Sequence, residues 1–422
     1  MRANRIRSEL IPIHRHLGKI FITFNWLFLT IATADLSQGR PLRFAGYLAP
    51  ILIVLGLING SVYLDRRLLM VPLVYVCILF SAVAAGADFT DYFFARDVLI
   101  ISSGILTLVT VYNFRDSDAK LLLILLVLNL ITNSIGRGQS FEFKFDLIRS
   151  EGGLESSFGF SLGLLAIYFY LRRDWSWMLV SSLAVLLSFK RAAFVGIIVI
   201  VVMNLGLNML RLDRFLGRRR LVAWGAALSL AVGLFFGFNA KSIISTAFAY
   251  VAPYTPIDFY LLGRYEFASA ITDNLRNSSL LTWLFGHGPG AATRLIAEVF
   301  SVRDEPHDDH LRIVYEYGIV GGVGLYLVIF AALRRNIVGL YVFIYQMILF
   351  MTDNTLIYYY HWFAIWVVVN AYEDRQPELS ASPSPTTTSR TAVRAAPLPS
   401  GSAGGVPLAG VAFRPHGRRV GE

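Results

Sequence analysis

The sequence is short of charge. Asp, Glu, Lys and Arg make up 16% of its 422 residues, against roughly 25% in a soluble domain, while hydrophobic residues reach 55%. Such a deficit suits a chain whose surface faces hydrocarbon, where every backbone polar group must be satisfied within a helix or a closed barrel. The apolar runs are continuous rather than alternating, which excludes the barrel. Cysteine is nearly absent: the single Cys77 lies in an apolar run, so no intramolecular disulfide can form and the thiol reads as packing. No internal repeat is present, which removes the inverted-repeat signature of many transporters. No glycine-rich stretch ends in Lys-Ser/Thr, so no P-loop is present, and no nucleotide-binding domain is evident.

What is present is apolar length. A span needs about 20 apolar residues. The pattern predicts an all-α fold, a polytopic membrane helical bundle of about twelve transmembrane helices, at roughly 20–35, 45–64, 68–86, 97–114, 121–136, 156–171, 175–189, 192–210, 221–240, 313–333, 336–351 and 355–372. The net charge of +10 reads as basic residues gathered in cytoplasmic connections rather than as a nucleic-acid footprint. Arg66-Arg67, Arg115 to Lys120, Arg172-Arg173, Arg211 to Arg220 and Arg334-Arg335 each supply at least two. This places both termini of a multi-pass protein in the cytoplasm. Residues 1–19 form a cytoplasmic segment, 20–375 a membrane domain, and the Ser/Thr/Pro-rich residues 376–422 a disordered cytoplasmic tail. Ala32-Thr33-Ala34 superficially resembles a signal cleavage site, and an uncleaved first span is the preferred reading.

Two segments on the opposite, extracytoplasmic side are too long for turns, 137–155 and 241–312, the second between spans 9 and 10; long ordered loops are usually functional. Polar residues collect on that side. Lys190-Arg191 joins two spans. The basic pair runs against the charge bias there, and a guanidinium fork suits phosphate, although a helix-end anchor that snorkels to the interface would look the same. Arg264 follows a glycine in the larger loop. Phe285-Gly286-His287-Gly288-Pro289-Gly290 reads as a turn that permits close backbone approach. His307-Asp308-Asp309-His310 invites acid/base work, since histidine is the usual proton acceptor near neutrality. A metal ranks below that reading, because the spacing matches no strong metal motif. A solvated acidic loop is the plain alternative.

Pro306-His307-Asp308-Asp309-His310-Leu311-Arg312 and the following Glu316-Tyr317-Gly318-Ile319-Val320-Gly321 resemble a motif of the O-antigen polymerase and O-antigen ligase superfamily, bacterial membrane glycosyltransferases. Position 308 is Asp where the family more usually has Asn or Ser. Ser188-Phe189-Lys190-Arg191-Ala192, Gly263-Arg264-Tyr265-Glu266, the glycine turn at 286–290 and Thr352-Asp353-Asn354-Thr355 are similar to further family segments in the same order, so the resemblance covers about 180–360.

The resemblance implies a multi-pass enzyme of the bacterial inner (cytoplasmic) membrane that transfers a glycan from an undecaprenyl-pyrophosphate carrier to an acceptor hydroxyl at the periplasmic face. The expected activity is polymerisation of O-antigen or exopolysaccharide. The alternatives are an O-antigen ligase acting on lipid A–core and, in another class, a polytopic transporter or lipid flippase. His307, Arg191 and Arg264 are the expected catalytic residues, the two arginines on the pyrophosphate. Lys190, Asp308, Asp309, His310, Glu316, His287 and Glu155 are the expected substrate contacts, with Glu151 beside Glu155. No cofactor or metal is expected. The expected partners are the lipid-linked oligosaccharide, membrane lipid and a chain-length-regulating co-polymerase, with no nucleic acid.

Overall fold

The computed structural model describes residues 18–27, 30, 49–58, 62–64, 75–76, 78–79, 90, 92–136, 156–210, 217–251, 264–301 and 306–373. The chain divides into two compact units, Met1–Gln376 and Pro377–Glu422, and the described residues all belong to the first. The expected tail, Glu151, Glu155, Cys77 and most of the first three expected spans lie outside them.

The elements in chain order are α1 (Ala49–Ile58), β1 (Tyr63–Leu64), α2 (Tyr92–Val109), β2 (Thr110–Val111), α3 (Asp116–Gly136), α4 (Phe158–Arg172), α5 (Trp175–Leu187) and α6 (Arg191–Met209). They continue with α7 (Arg218–Val251), α8 (Arg264–Arg276), α9 (Leu280–Phe285), α10 (Ala291–Phe300), α11 (Asp309–Leu333), α12 (Ile337–Phe350), a 3-10 turn (Thr355–Ile357) and α13 (Tyr359–Glu373). The two short strands pair antiparallel, Tyr63 opposite Val111.

Local chemistry sets the helix ends. The Asp118 carboxylate reaches back to the Arg115 N–H at 2.8 Å, satisfying an orphan donor at the start of α3. Asn336 caps α12 by accepting from the Gly339 N–H at 2.7 Å, while its amide donates to the Val369 carbonyl of α13 at 2.9 Å. Arg173 ends α4 in the left-handed region, φ 60°, where a chain leaving a helix commonly turns.

The core lies where α4, α12 and α13 meet. Every residue from Phe158 to Tyr170 is buried, as is every residue from Val338 to Met347. Trp366 of α13 is buried against Phe114 and Phe363, with ring centroids 4.8 and 5.7 Å away, and its indole N–H donates to the Thr110 carbonyl at 3.1 Å. A buried indole needs such an acceptor.

This architecture corrects the expectation of about twelve transmembrane helices. Among the described residues, four helices are long and apolar enough to cross a membrane: Tyr92–Val109, Arg191–Met209, Arg218–Gly237 and Asp309–Leu333. Phe158–Arg172, Trp175–Leu187 and Ile337–Phe350 are apolar but shorter, at 15, 13 and 14 residues. At about 1.5 Å per residue they reach about 20 Å, well below a hydrocarbon thickness of about 30 Å. The physical reason for the overcount is burial. In α4 and α12 the apolar residues are covered by other helices of the same chain, and hydropathy alone does not separate a protein neighbour from a lipid one. The expected loop at 241–312 carries helix: α7 runs on to Val251, and α8, α9 and α10 lie within it. With the twelve-span path goes the expectation of a multi-pass inner-membrane protein with both termini cytoplasmic.

The alternation of helix directions nevertheless separates polar groups to two ends. At one end Lys120 bridges Asp174 at 2.8 Å and Asp116 at 3.4 Å. There Arg219 donates to the Arg334 carbonyl at 2.5 Å, and Arg335 to the carbonyls of Leu108 and Thr110, so guanidinium groups satisfy carbonyls left over at element ends. The first residues of α4, α6, α11 and α13 gather at the other end.

Candidate functional site

At that second end, Asp353 stands between two basic side chains. Its loop leaves α12 and leads into the 3-10 turn. The carboxylate is nearly buried, and one oxygen, Oδ1, accepts from the Asn354 N–H at 3.0 Å. Lys190 Nζ lies 3.6 Å from Oδ2, and His307 Nδ1 lies 3.9 Å from Oδ1. Both separations exceed hydrogen-bonding distance and lie in the range of an ion pair. His307 Nδ1 is buried and has no hydrogen-bond partner, an arrangement that costs free energy unless a ligand or water completes it.

The chain folds locally to present these groups. Phe189 takes a left-handed conformation, φ 52°, which turns the backbone sharply between α5 and α6 and leaves Lys190 at the cap of α6. Lys190 Nζ sits 5.4 Å from the Phe160 ring centroid, within cation–π range. Gly159 lets the start of α4 approach, since a Cβ there would run into the Ser188 hydroxyl and the Lys190 side chain. Arg191 is exposed at the rim.

The acidic run is divided between different tasks. Asp308 caps α11 by accepting from the Leu311 N–H at 2.9 Å, and burial pushes its carboxyl up from 3.8 to about 7. A raised carboxyl favours the fold fully below its unfolded value, and that contribution is lost as pH rises through the folded value. The thermal midpoint is therefore expected to fall between pH 5 and pH 8. Asp308→Asn, which keeps a capping oxygen, should flatten that slope; equal slopes in both proteins would refute the assignment.

Asp309 turns inward instead. Its Oδ2 accepts from the Leu356 N–H at 2.7 Å and from the Thr355 hydroxyl at 3.3 Å. His310 is enclosed between helices. Its Nε2 bonds the Met347 carbonyl at 3.1 Å and its Nδ1 the Tyr326 hydroxyl at 2.6 Å. A carbonyl only accepts, so the ring carries its proton on Nε2. A Cβ on Gly233 of α7 would strike this ring.

Glu316 belongs to a separate buried knot. Arg312 bonds Glu316 Oε1 at 3.2 Å and also bonds Asp97 of α2, and all three side chains are fully buried. Arg96 adds a second bond to Asp97 at 2.8 Å, and the Ala292 N–H donates to Glu316 Oε1 at 3.3 Å. Two positive and two negative charges thus join α2, α10 and α11 at one point.

The glycine stretch is a turn docked on the chain itself. The N–H groups of His287 and Gly288 donate to the carbonyls of Tyr315 and Glu316 at 2.9 and 2.8 Å. These carbonyls lie before the break in α11 at Gly318, φ 65° and ψ −175°. His287 stacks on Tyr315 with ring centroids 4.3 Å apart and bonds Ser278 Oγ at 3.0 Å. Burial, then the nearby Arg294, lowers its pKa, so the ring is neutral near pH 7.

Of the residues expected to act together, the structure brings Lys190 and His307 to one place, with Arg191 and Asp308 beside them in sequence. Asp309 lies behind this end and pins its loop, whereas His310, Glu316 and His287 have partners elsewhere. Arg264 opens α8, and its side chain, like Glu155, is outside the described residues. Asp353 was not among the expected site residues. The available signal was an Asp-Asn pair breaking an apolar stretch. Arg312 and Asp97 were also missed, although an Arg four residues before a Glu on an otherwise apolar helix is the spacing of an internal ion pair.

No family model matches this chain, and no curated protein matches it. Together with the four candidate crossing helices, this corrects the resemblance to the O-antigen polymerase and ligase superfamily. The polymerase and ligase readings fall with it, as does the membrane glycosyltransferase activity, for each required a many-span bundle presenting a lipid-linked substrate at one face; the transporter or flippase alternative rested on the same twelve spans. The motif that carried the resemblance has a local explanation: Asp308 caps a helix, Asp309 pins a loop, Arg312 and Glu316 pair, and the glycine turn fits against Gly318.

Proposed function

We propose that the end of the bundle built from Lys190, Arg191, His307 and Asp353 binds a ligand carrying a phosphate or pyrophosphate group. The observation that carries this reading is the pair of basic groups held 3.6 and 3.9 Å from one carboxylate, with His307 Nδ1 buried and lacking a hydrogen bond. Lys190 and His307 flank one carboxylate, and Arg191 is exposed beside them in sequence. A phosphate oxygen would give His307 Nδ1 the partner it lacks and add a charge-assisted hydrogen bond from Lys190. Asp353 then keeps Lys190 and His307 apart and in position, and its own hydrogen bond from Asn354 holds it in place.

Isothermal titration with inorganic pyrophosphate tests the reading. Saturable binding is expected, weakened about 10- to 100-fold in Lys190→Ala and in His307→Ala, in line with the loss of a charged hydrogen bond. Arg191→Ala should mainly reduce the salt dependence, because an exposed charge acts through a screened field. Absence of saturable binding by the unaltered protein, or equal affinity in the Lys190 and His307 variants, would overturn it.

A further inference from the structure

Behind the proposed site runs a line of buried polar groups that binding does not use directly. Ser161 Oγ lies 3.5 Å from His361 Nδ1, and His361 Nε2 lies 2.7 Å from Gln346 Oε1. The Gln346 amide donates to Thr355 Oγ1 at 2.7 Å, and the Thr355 hydroxyl donates to Asp309 Oδ2 at 3.3 Å. Ser161, His361, Gln346, Thr355 and Asp309 are all fully buried, so no water competes for these groups. The loop they reach is the one that carries Asp353. Its Leu356 N–H is held by Asp309 at 2.7 Å and its Leu356 carbonyl by the Trp362 indole at 3.0 Å.

The direction of every bond follows from the last one. The Thr355 hydroxyl donates to Asp309 Oδ2. Thr355 has one proton and therefore accepts from the next group, which turns the Gln346 NH2 towards it. That leaves the Gln346 carbonyl oxygen facing His361, which must then carry its proton on Nε2 and accept at Nδ1 from Ser161. Each amide and imidazole orientation is thus fixed by its neighbour, and a break at Thr355 releases Gln346 to flip and His361 to change tautomer.

We propose that His361, acting through Gln346 and Thr355, is a positioning residue that holds the Asp353 loop in the form that receives the phosphate-bearing ligand. This rests on the binding reading above. The test combines 15N NMR of the histidine side chains, with His361 assigned by its loss in His361→Asn, and pyrophosphate titration of the same proteins. The unaltered protein should show His361 as the neutral Nε2–H tautomer. Thr355→Val should give a mixture of tautomers and about tenfold weaker pyrophosphate binding, and Thr355→Ser, which restores the hydroxyl, should recover both. A His361 proton on Nδ1, or a tautomer unchanged by Thr355→Val, overturns the relay. A changed tautomer with unchanged affinity overturns the positioning role. Failure of the unaltered protein to bind pyrophosphate while the tautomer responds overturns the binding reading and the positioning role together, and is distinguished from failure of the relay by the NMR result.

Discussion

Arg312→Ala is expected to destabilise the protein by about 3–5 kcal/mol, the usual cost of breaking a buried ion pair. Arg312, Asp97 and Glu316 are fully buried and bonded to one another. Removing the guanidinium takes away the shared partner of two buried carboxylates, while Arg96 still bonds Asp97. The expected loss is read as stability, because the bonds described for this knot join α2, α10 and α11 to one another. A denaturant titration measures it. The double substitution Arg312→Ala with Asp97→Ala should cost less than the sum of the two single changes, since each partner's removal relieves the charge stranded by the other. Strict additivity, or a loss below about 1 kcal/mol for the single change, the range of an exposed pair, would show that the knot is not a buried ion pair.

Gly318→Ala should be as damaging, for a backbone reason. At φ 65° and ψ −175°, Gly318 occupies a region essentially reserved for glycine, where another residue costs about 1–3 kcal/mol. A Cβ would also enter the Leu284–Phe285 backbone of the docked turn, which cannot move aside as a side-chain tip can. The added loss of hydrogen bonds from His287 and Gly288 brings the expected total above about 3 kcal/mol. Gly322→Ala, one turn further along the same helix, meets only Ile313 Cγ2 at 3.2 Å and serves as the comparison. Similar thermal midpoints for the two variants would refute the claim that Gly318 is required for its conformation.

The sequence was informative wherever the deciding partner is close along the chain. The glycine stretch at 286–290 reads as a turn from its own composition, and Asp308 before an apolar helix carries the oxygen of an N-cap. What the turn docks on was not legible, because its partner is a break about thirty residues later whose dihedral angles leave only another glycine as a trace. The count of spans failed for a related reason. Phe158 to Tyr170 would be equally apolar against lipid or against α5, α6 and α13, and only packing decides between them. His307 through His310 looked like one cluster, yet a helix begins inside it, at Asp309. Successive helical residues point about 100° apart, so His310 faces α7 and α12 while Asp309 faces the 352–358 loop. Asp353, although within the 352–355 segment, was given no site role because its significance comes from Lys190 and His307, distant in sequence and adjacent only after folding.

Helix α12 has bonds to neighbours at both its ends. Asn336 ties its first turn to Val369, while Gln346 and Met347 tie its last turn to His361 and His310. A rod anchored in this way cannot slide or rotate by a turn without breaking attachments at both extremities. Any rearrangement that accompanies occupancy of the Asp353 end is thereby confined to the short connection after Phe350 and to side-chain motion, and the framework beneath behaves as a fixed seat rather than a lever.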